Sequence, residues 1–214
     1  VYGVLRRHGH SRLAHADRLT GSPVRYVRER PGELVHVDVK RLGRVPEGGG
    51  HRMLGDGARN HAAGGHDYLH VAIDDATRLA FVAVRADELA ASTVSFVREA
   101  LAFFADHGVR VERLMTDNAM TYTQSRAFAE LLRAEGIRHL RTRPRRPQTN
   151  GKAERFIGTL QREWAYARLY RSNAERLASL PAWVASYNRR RPHAGLKGQT
   201  PMAVLVDKVG GNDN

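Results

Sequence analysis

The chain has 214 residues, 42% of them hydrophobic, enough for one sizeable α/β domain with a buried core and too many for wholesale disorder. Its 35 Lys and Arg residues against 22 Asp and Glu give a formal net charge of +13, a surplus that favours a polyanionic partner, with nucleic acid the leading candidate. Apolar runs such as Leu79 to Val84 are far too short to span a bilayer. The lack of cysteine removes disulfides, thiolate zinc sites and cysteine nucleophiles, and is compatible with a reducing cytosol.

Residues 1–32 carry Arg6, Arg7, Arg12, Arg18, Arg25, Arg28 and Arg30 against Asp17 and Glu29, with Pro23 and Pro31 breaking any long helix. They read as a basic N-terminal linker or the end of a DNA-binding module, the plainer alternative being a solvated arm. The chain opens at Val1 inside a basic, helix-like stretch without a signal-peptide pattern, and is expected to be a fragment whose N-terminal domain is missing.

From Glu33 to Lys40, alternation puts Val35, Val37 and Val39 on one face and Leu34, His36 and Asp38 on the other, so a strand ends on a carboxylate. Residues 42–67 are rich in Gly and His. The loose spacing of His51, His61 and His66 argues against a metal site there and for a mobile hairpin-like loop. Strands over Tyr68–Ile73 and Leu79–Val84 then complete a three-strand meander, and the Asp74-Asp75 pair in the turn between them is read as structural.

A helix is predicted over Ser92–His107, with Val94, Val97, Leu101 and Phe104 on its inner stripe and Gly108 as its stop. A short buried strand, Val111–Met115, leads to Thr116-Asp117-Asn118. A second helix over about Ser125–Glu135, stopped by Gly136, precedes a strand at Ile137–Leu140. A meander followed by alternating helix and strand predicts a mixed α/β sheet flanked by helices.

Between Arg141 and Arg155 the basic residues Arg141, Arg143, Arg145, Arg146, Lys152 and Arg155 face one acid, Glu154. Pro144 and Pro147 keep this stretch extended until a helix starts near Asn150. Ala153, Phe156, Ile157, Leu160, Trp164 and Ala167 follow helical spacing and are expected to face the core, with Glu154 beside that stripe. Taken singly, Asp38, Asp117 and Glu154 are ordinary turn formers, caps or dipole partners. Taken as an ordered set near a basic loop, they form the oxygen-rich donor group that divalent cations require for two-metal phosphoryl transfer.

The segments Glu33-Leu-Val-His-Val-Asp38-Val-Lys, Leu114-Met-Thr-Asp117-Asn118 and Gln148-Thr-Asn-Gly-Lys-Ala-Glu154-Arg-Phe, followed by Tyr187-Asn-Arg-Arg-Arg-Pro-His193-Ala-Gly-Leu and Thr200-Pro201, together resemble the integrase catalytic core of bacterial insertion-sequence DDE transposases, relatives of retroviral integrases. The resemblance covers about residues 33–205 and leaves 206–214 as a flexible tail. It implies an RNase H-like fold and a catalytic, metal-binding triad of Asp38, Asp117 and Glu154 with two Mg²⁺ or Mn²⁺ ions. It further implies cleavage of one strand at each element end and joining of the freed 3′ hydroxyl to target DNA, in a homodimer or higher oligomer at the bacterial nucleoid in the cytoplasm. Three departures stand out: Ala119 where the family commonly has Gly, a slightly long interval from Asp117 to Glu154, and Gln161 where a basic residue is common.

DNA phosphates are expected to meet Arg141, Arg143, Arg145, Arg146, Asn150, Lys152, Arg155 and Arg162, together with Arg189, Arg190 and Arg191. The alternatives are an RNase H-like nuclease that cuts without joining, and an inactive DNA-binding transposase remnant.

Overall fold

The structure, a computed structural model, describes residues 28–50, 53, 55, 64–142 and 150–210. Three antiparallel strands, β1 (Val35–Gly43), β2 (His66–Asp74) and β3 (Ala80–Arg85), form the predicted meander. Helix α1 (Ala90–Asp106) carries the chain across to β4 (Arg113–Thr116). The short α2 (Met120–Thr123) and α3 (Arg126–Ala134) then lead to β5 (Arg138–Arg141). The five-stranded sheet has the order β3-β2-β1-β4-β5, with β4 parallel to β1 and β5 parallel to β4.

Each face of the sheet is buried under helices. Val35, Val37 and Ala72 pack with Phe96, Val97 and Phe104 of α1 and Phe128, Leu131 and Leu132 of α3. On the other face, Leu42, Leu69, Val71 and Ile73 pack with Ala153, Phe156, Ile157 and Leu160 of α4 (Gly151–Leu160). Strand alternation divides the apolar residues of β1 and β2 between two cores. The local signals also hold: the Ser125 hydroxyl accepts from the Phe128 N–H to cap α3, and Gly108 and Gly136 adopt positive φ where α1 and α3 stop.

Several boundaries differ from the sequence reading. β1 runs on to Gly43, because Gly43 still pairs with His66, so Asp38 sits within the strand and not at its end. Most of the Gly- and His-rich segment, including His51 and His61, lies outside the described residues. Residues 28–32, expected in a linker, dock onto the core: Gly32 N–H donates to Asp74 and its carbonyl accepts from Glu112 N–H. After α4 a π-helical turn, Gln161–Ala165, shifts the helical phase, so Ala165 is buried and Ala167 exposed. The region from Asn173 to Tyr187 is two helices, α5 (Asn173–Ala178) and α6 (Leu180–Arg189), parted at Ser179 ahead of Pro181. Residues 206–210, expected in a flexible tail, complete α7 (Pro201–Gly210), whose Leu205 joins the first core.

Candidate active site

The strand order reverses direction between β1 and β4, and in open α/β sheets the crevice beyond the carboxyl ends of strands at such a point is the natural ligand site. The last β1–β4 pair is His36 with Met115. Carried on two residues, the same register sets Asp38 beside Asp117 where the two strands part. Asp38 shares a strand face with His36 and Leu42, the face covered by α4. Its Oδ1 accepts from the Val39 N–H at 2.8 Å. Burial, and after it the negative charges of Asp117 and Glu154, outweigh that hydrogen bond and push the Asp38 carboxyl up to about 6. The charges of Asp117 and Glu154 thus both reach Asp38.

Asp117 follows β4 directly and is exposed. Its Oδ1 accepts from the Ala119 N–H at 3.0 Å, and Asn118 Nδ2 donates to the Thr142 carbonyl at 3.0 Å, tying the ends of β4 and β5 together. Ala119 has φ −59°, a conformation any residue adopts, so this turn does not require the glycine common in relatives.

Glu154 is exposed in the first turn of α4, and a buried polar network fixes where that turn begins. His36, two residues before Asp38, engages Asp75 through Nε2 at 2.8 Å and Asn150 through Nδ1 at 3.2 Å. Asp75 also forms an ion pair with Lys152 and accepts from the Arg28 N–H at 2.8 Å. Burial raises the Asp75 pKa, but hydrogen bonds from His36 and Lys152 outweigh it and hold the carboxyl well below the usual range. The neighbouring Asp74 accepts from the N–H groups of Gly32, Ala76 and Thr77 and from the Thr77 hydroxyl. The paired aspartates are thus built into the β2–β3 turn, and Asp75 links the strand bearing Asp38 to the helix bearing Glu154.

Among the described residues, no group of three or more His, Asp or Glu side chains is already gathered to hold a metal ion. The donor set nevertheless fits Mg²⁺ or Mn²⁺. It is all carboxylate, Asp117 and Glu154 add negative charge at Asp38, and Mg²⁺ keeps several waters and needs only one or two carboxylates beside substrate phosphates.

The basic residues divide into two groups. Arg141, Arg155, Arg162, Arg189 and Arg190 are exposed. Asn150 is 3% exposed and bonded to His36, Lys152 is paired with Asp75, and Arg191 forms a two-pronged bridge to Glu163 at 2.7 and 2.6 Å. The structure engages these three internally, a role the sequence reading did not give them. Arg143, Arg145 and Arg146 lie outside the described residues. The reading also passed over Asn188, whose side-chain amide bonds both the N–H and the carbonyl of Ala80 and so pins the first residue of edge strand β3 to α6.

A mixed sheet of this order with helices on both faces has the RNase H-like fold. Two family models, each described as integrase core domain, match residues 28–147 and 135–201. The first alone spans more than half of the chain, which belongs to the integrase core domain family. An uncharacterized protein of Caenorhabditis elegans is 33% identical over 134 residues, 63% of this chain and 10% of its own length. An uncharacterized protein of insertion element IS136 from Agrobacterium fabrum is 29% identical over 96 residues, 44% of this chain and 48% of its own length. The chain thus spans less than half of each of these relatives.

Among solved structures, the simian T-cell lymphotropic virus intasome matches with a TM-score of 0.65 at 17% identity, over 95% of this chain and 70% of the other. The HTLV-2 integrase catalytic core domain in complex with magnesium matches with a TM-score of 0.60 at 16% identity, over 83% of this chain and 99% of the other. The chain has the catalytic-core fold of the retroviral integrase superfamily.

Proposed function

We propose that this chain is the catalytic core of a DDE transposase, a polynucleotidyl transferase that cleaves one DNA strand at each element end and joins the freed 3′ hydroxyl to target DNA. The observation that supports the reading is the Asp38 carboxyl, raised to about 6 by burial and, after it, by the charges of Asp117 and Glu154. Such repulsion is stored in readiness for cations.

Asp38, Asp117 and Glu154 would hold Mg²⁺ or Mn²⁺. When bound, such ions would activate the attacking water or 3′ hydroxyl and stabilise the leaving oxygen of an in-line displacement. The Asp75, His36, Asn150 and Lys152 contacts fix the start of α4 relative to β1, and with it the place of Glu154 on that helix. The exposed Arg141, Arg155, Arg162, Arg189 and Arg190 are the residues offered to DNA phosphates on this reading. Joining two element ends calls for at least two such cores, hence a homodimer or higher assembly, acting at the bacterial nucleoid. The name of the IS136 protein and the magnesium of the HTLV-2 core are in keeping with this reading.

The test is the product formed from a branched DNA that mimics the joined intermediate, which lessens the need for end recognition. Metal-dependent exchange of strands supports a transposase core. Nicking without joining assigns a nuclease, and salt-sensitive binding without reaction assigns an inactive remnant.

A further inference from the structure

Tyr122 lies in α2, the short helix that follows Asp117. Its ring is buried, 5% exposed, and meets Phe128 edge-on at a centroid distance of 5.4 Å. Its hydroxyl is buried as well and has no hydrogen-bond partner among the described residues. A buried O–H left unpaired is costly, so phenylalanine would pack here at lower cost, and the oxygen calls for an explanation. The charges that act on this hydroxyl are Asp38 first, then Asp117, with Glu88 after them. Burial above all, and then these charges, push the phenol far above its ordinary pKa, so it stays a neutral O–H that can donate and does not compete for cations. A carboxylate that ligates a metal is usually held by a further hydrogen bond, and removal of such a partner typically costs 10–100-fold in metal affinity or activity.

We propose that Tyr122 is a positioning residue of the catalytic site, its hydroxyl donating to the Asp38 carboxylate when that carboxylate turns from the Val39 N–H toward a divalent cation. The inference rests on the reading of Asp38 as a metal-binding residue. It explains why a polar atom on which Asp38 and Asp117 act is kept dry and without a partner among the described residues: its acceptor arrives only when the site is loaded.

Tyr122→Phe removes one oxygen and keeps the ring packed on Phe128. Two quantities are measured against Mn²⁺ concentration: the rise in Tm of the protein alone, and the joining rate on branched DNA. In Tyr122→Phe both midpoints are expected to move to about 10-fold higher Mn²⁺, with the metal-free Tm equal to or above that of the original chain and the KM for DNA unchanged. Midpoints that stay where they were overturn the inference, as does an equal loss of activity at every Mn²⁺ concentration. Asp38→Asn is run beside it. If Asp38→Asn remains active, the reading of the site itself fails. If Asp38→Asn is inactive while Tyr122→Phe shows the original metal dependence, only the role of Tyr122 falls.

Discussion

Asp75, in the turn after β2, and Lys152, in the first turn of α4, form an ion pair whose side chains are 4% and 20% exposed. The pair joins two points 77 residues apart and sets the start of the helix that carries Glu154. Removing one partner of a buried pair strands the other charge at a cost of about 3–5 kcal/mol. Asp75→Asn is expected to lose about 3 kcal/mol in urea unfolding, and to lower the joining rate more than it raises the KM for DNA. Because the Asp75 carboxyl is held below its usual range, its contribution is fully present above the unfolded-state pKa of about 4 and is lost only as pH falls through the lower folded value. The stability gap between the two proteins should stay constant from about pH 8 to about pH 5 and close in stronger acid.

Asp38 has the opposite sign. Its pKa is raised to about 6, so the charged form is penalised in the folded state. That penalty is complete above the folded value and vanishes as pH falls to the ordinary carboxylate range. Asp38→Asn is expected to stabilise the metal-free protein by about 1–2 kcal/mol at about pH 8, with the gain shrinking between about pH 6 and about pH 4, while abolishing metal-dependent joining. Thermal unfolding across that pH range checks the first statement and a joining assay the second. A destabilised Asp38→Asn in mild alkali would count against the crowded-carboxylate description.

Exposed and engaged basic residues should differ on DNA. Each cation withdrawn from a DNA phosphate lowers the steepness of log K against log salt by about 0.9. Arg155→Ala and Arg189→Ala are expected to show this decrement. Lys152→Met, whose ammonium is paired with Asp75, is expected to lower Tm and leave the slope unchanged. Binding measured from about 50 to about 300 mM salt separates the two groups.

Gly32 has φ +77°, and an added Cβ would lie 2.0 Å from the Arg110 carbonyl oxygen. Gly32→Ala is therefore expected to cost at least about 2 kcal/mol, read as a lowered urea midpoint with unchanged m. A neutral result would show that residues 28–32 are not docked on the core.

The sheet was legible because period-2 alternation in β1, β2 and β3 and glycine stops at Gly108 and Gly136 are local signals. Asp38, Asp117 and Glu154 drew attention in the sequence through their order and the motifs around them, although β1 runs on past Asp38 to Gly43. What escaped depends on packing. His36, Asp75 and Lys152 meet across 39 and 77 residues, and nothing local marks Lys152 as paired. The π turn after α4 is held by tertiary hydrogen bonds, Trp164 Nε1–H to the Ser179 hydroxyl and Tyr170 O–H to the Trp164 carbonyl, so simple helical spacing carried Ala167 inward by mistake. α7 continues to Gly210 because no stop residue precedes it, and its Val204 and Leu205 have a core to bury against.

Whether Asp38, Asp117 and Glu154 form one metal-dependent site is read from Glu154→Gln, since Glu154 is exposed and the new amide has nothing buried to disturb. The measurement is joining of branched DNA in Mg²⁺ or Mn²⁺ by the original chain and by Glu154→Gln. Metal-dependent joining is expected of the original chain, and its loss in Glu154→Gln with DNA binding and Tm retained. Near-normal joining by Glu154→Gln would contradict it.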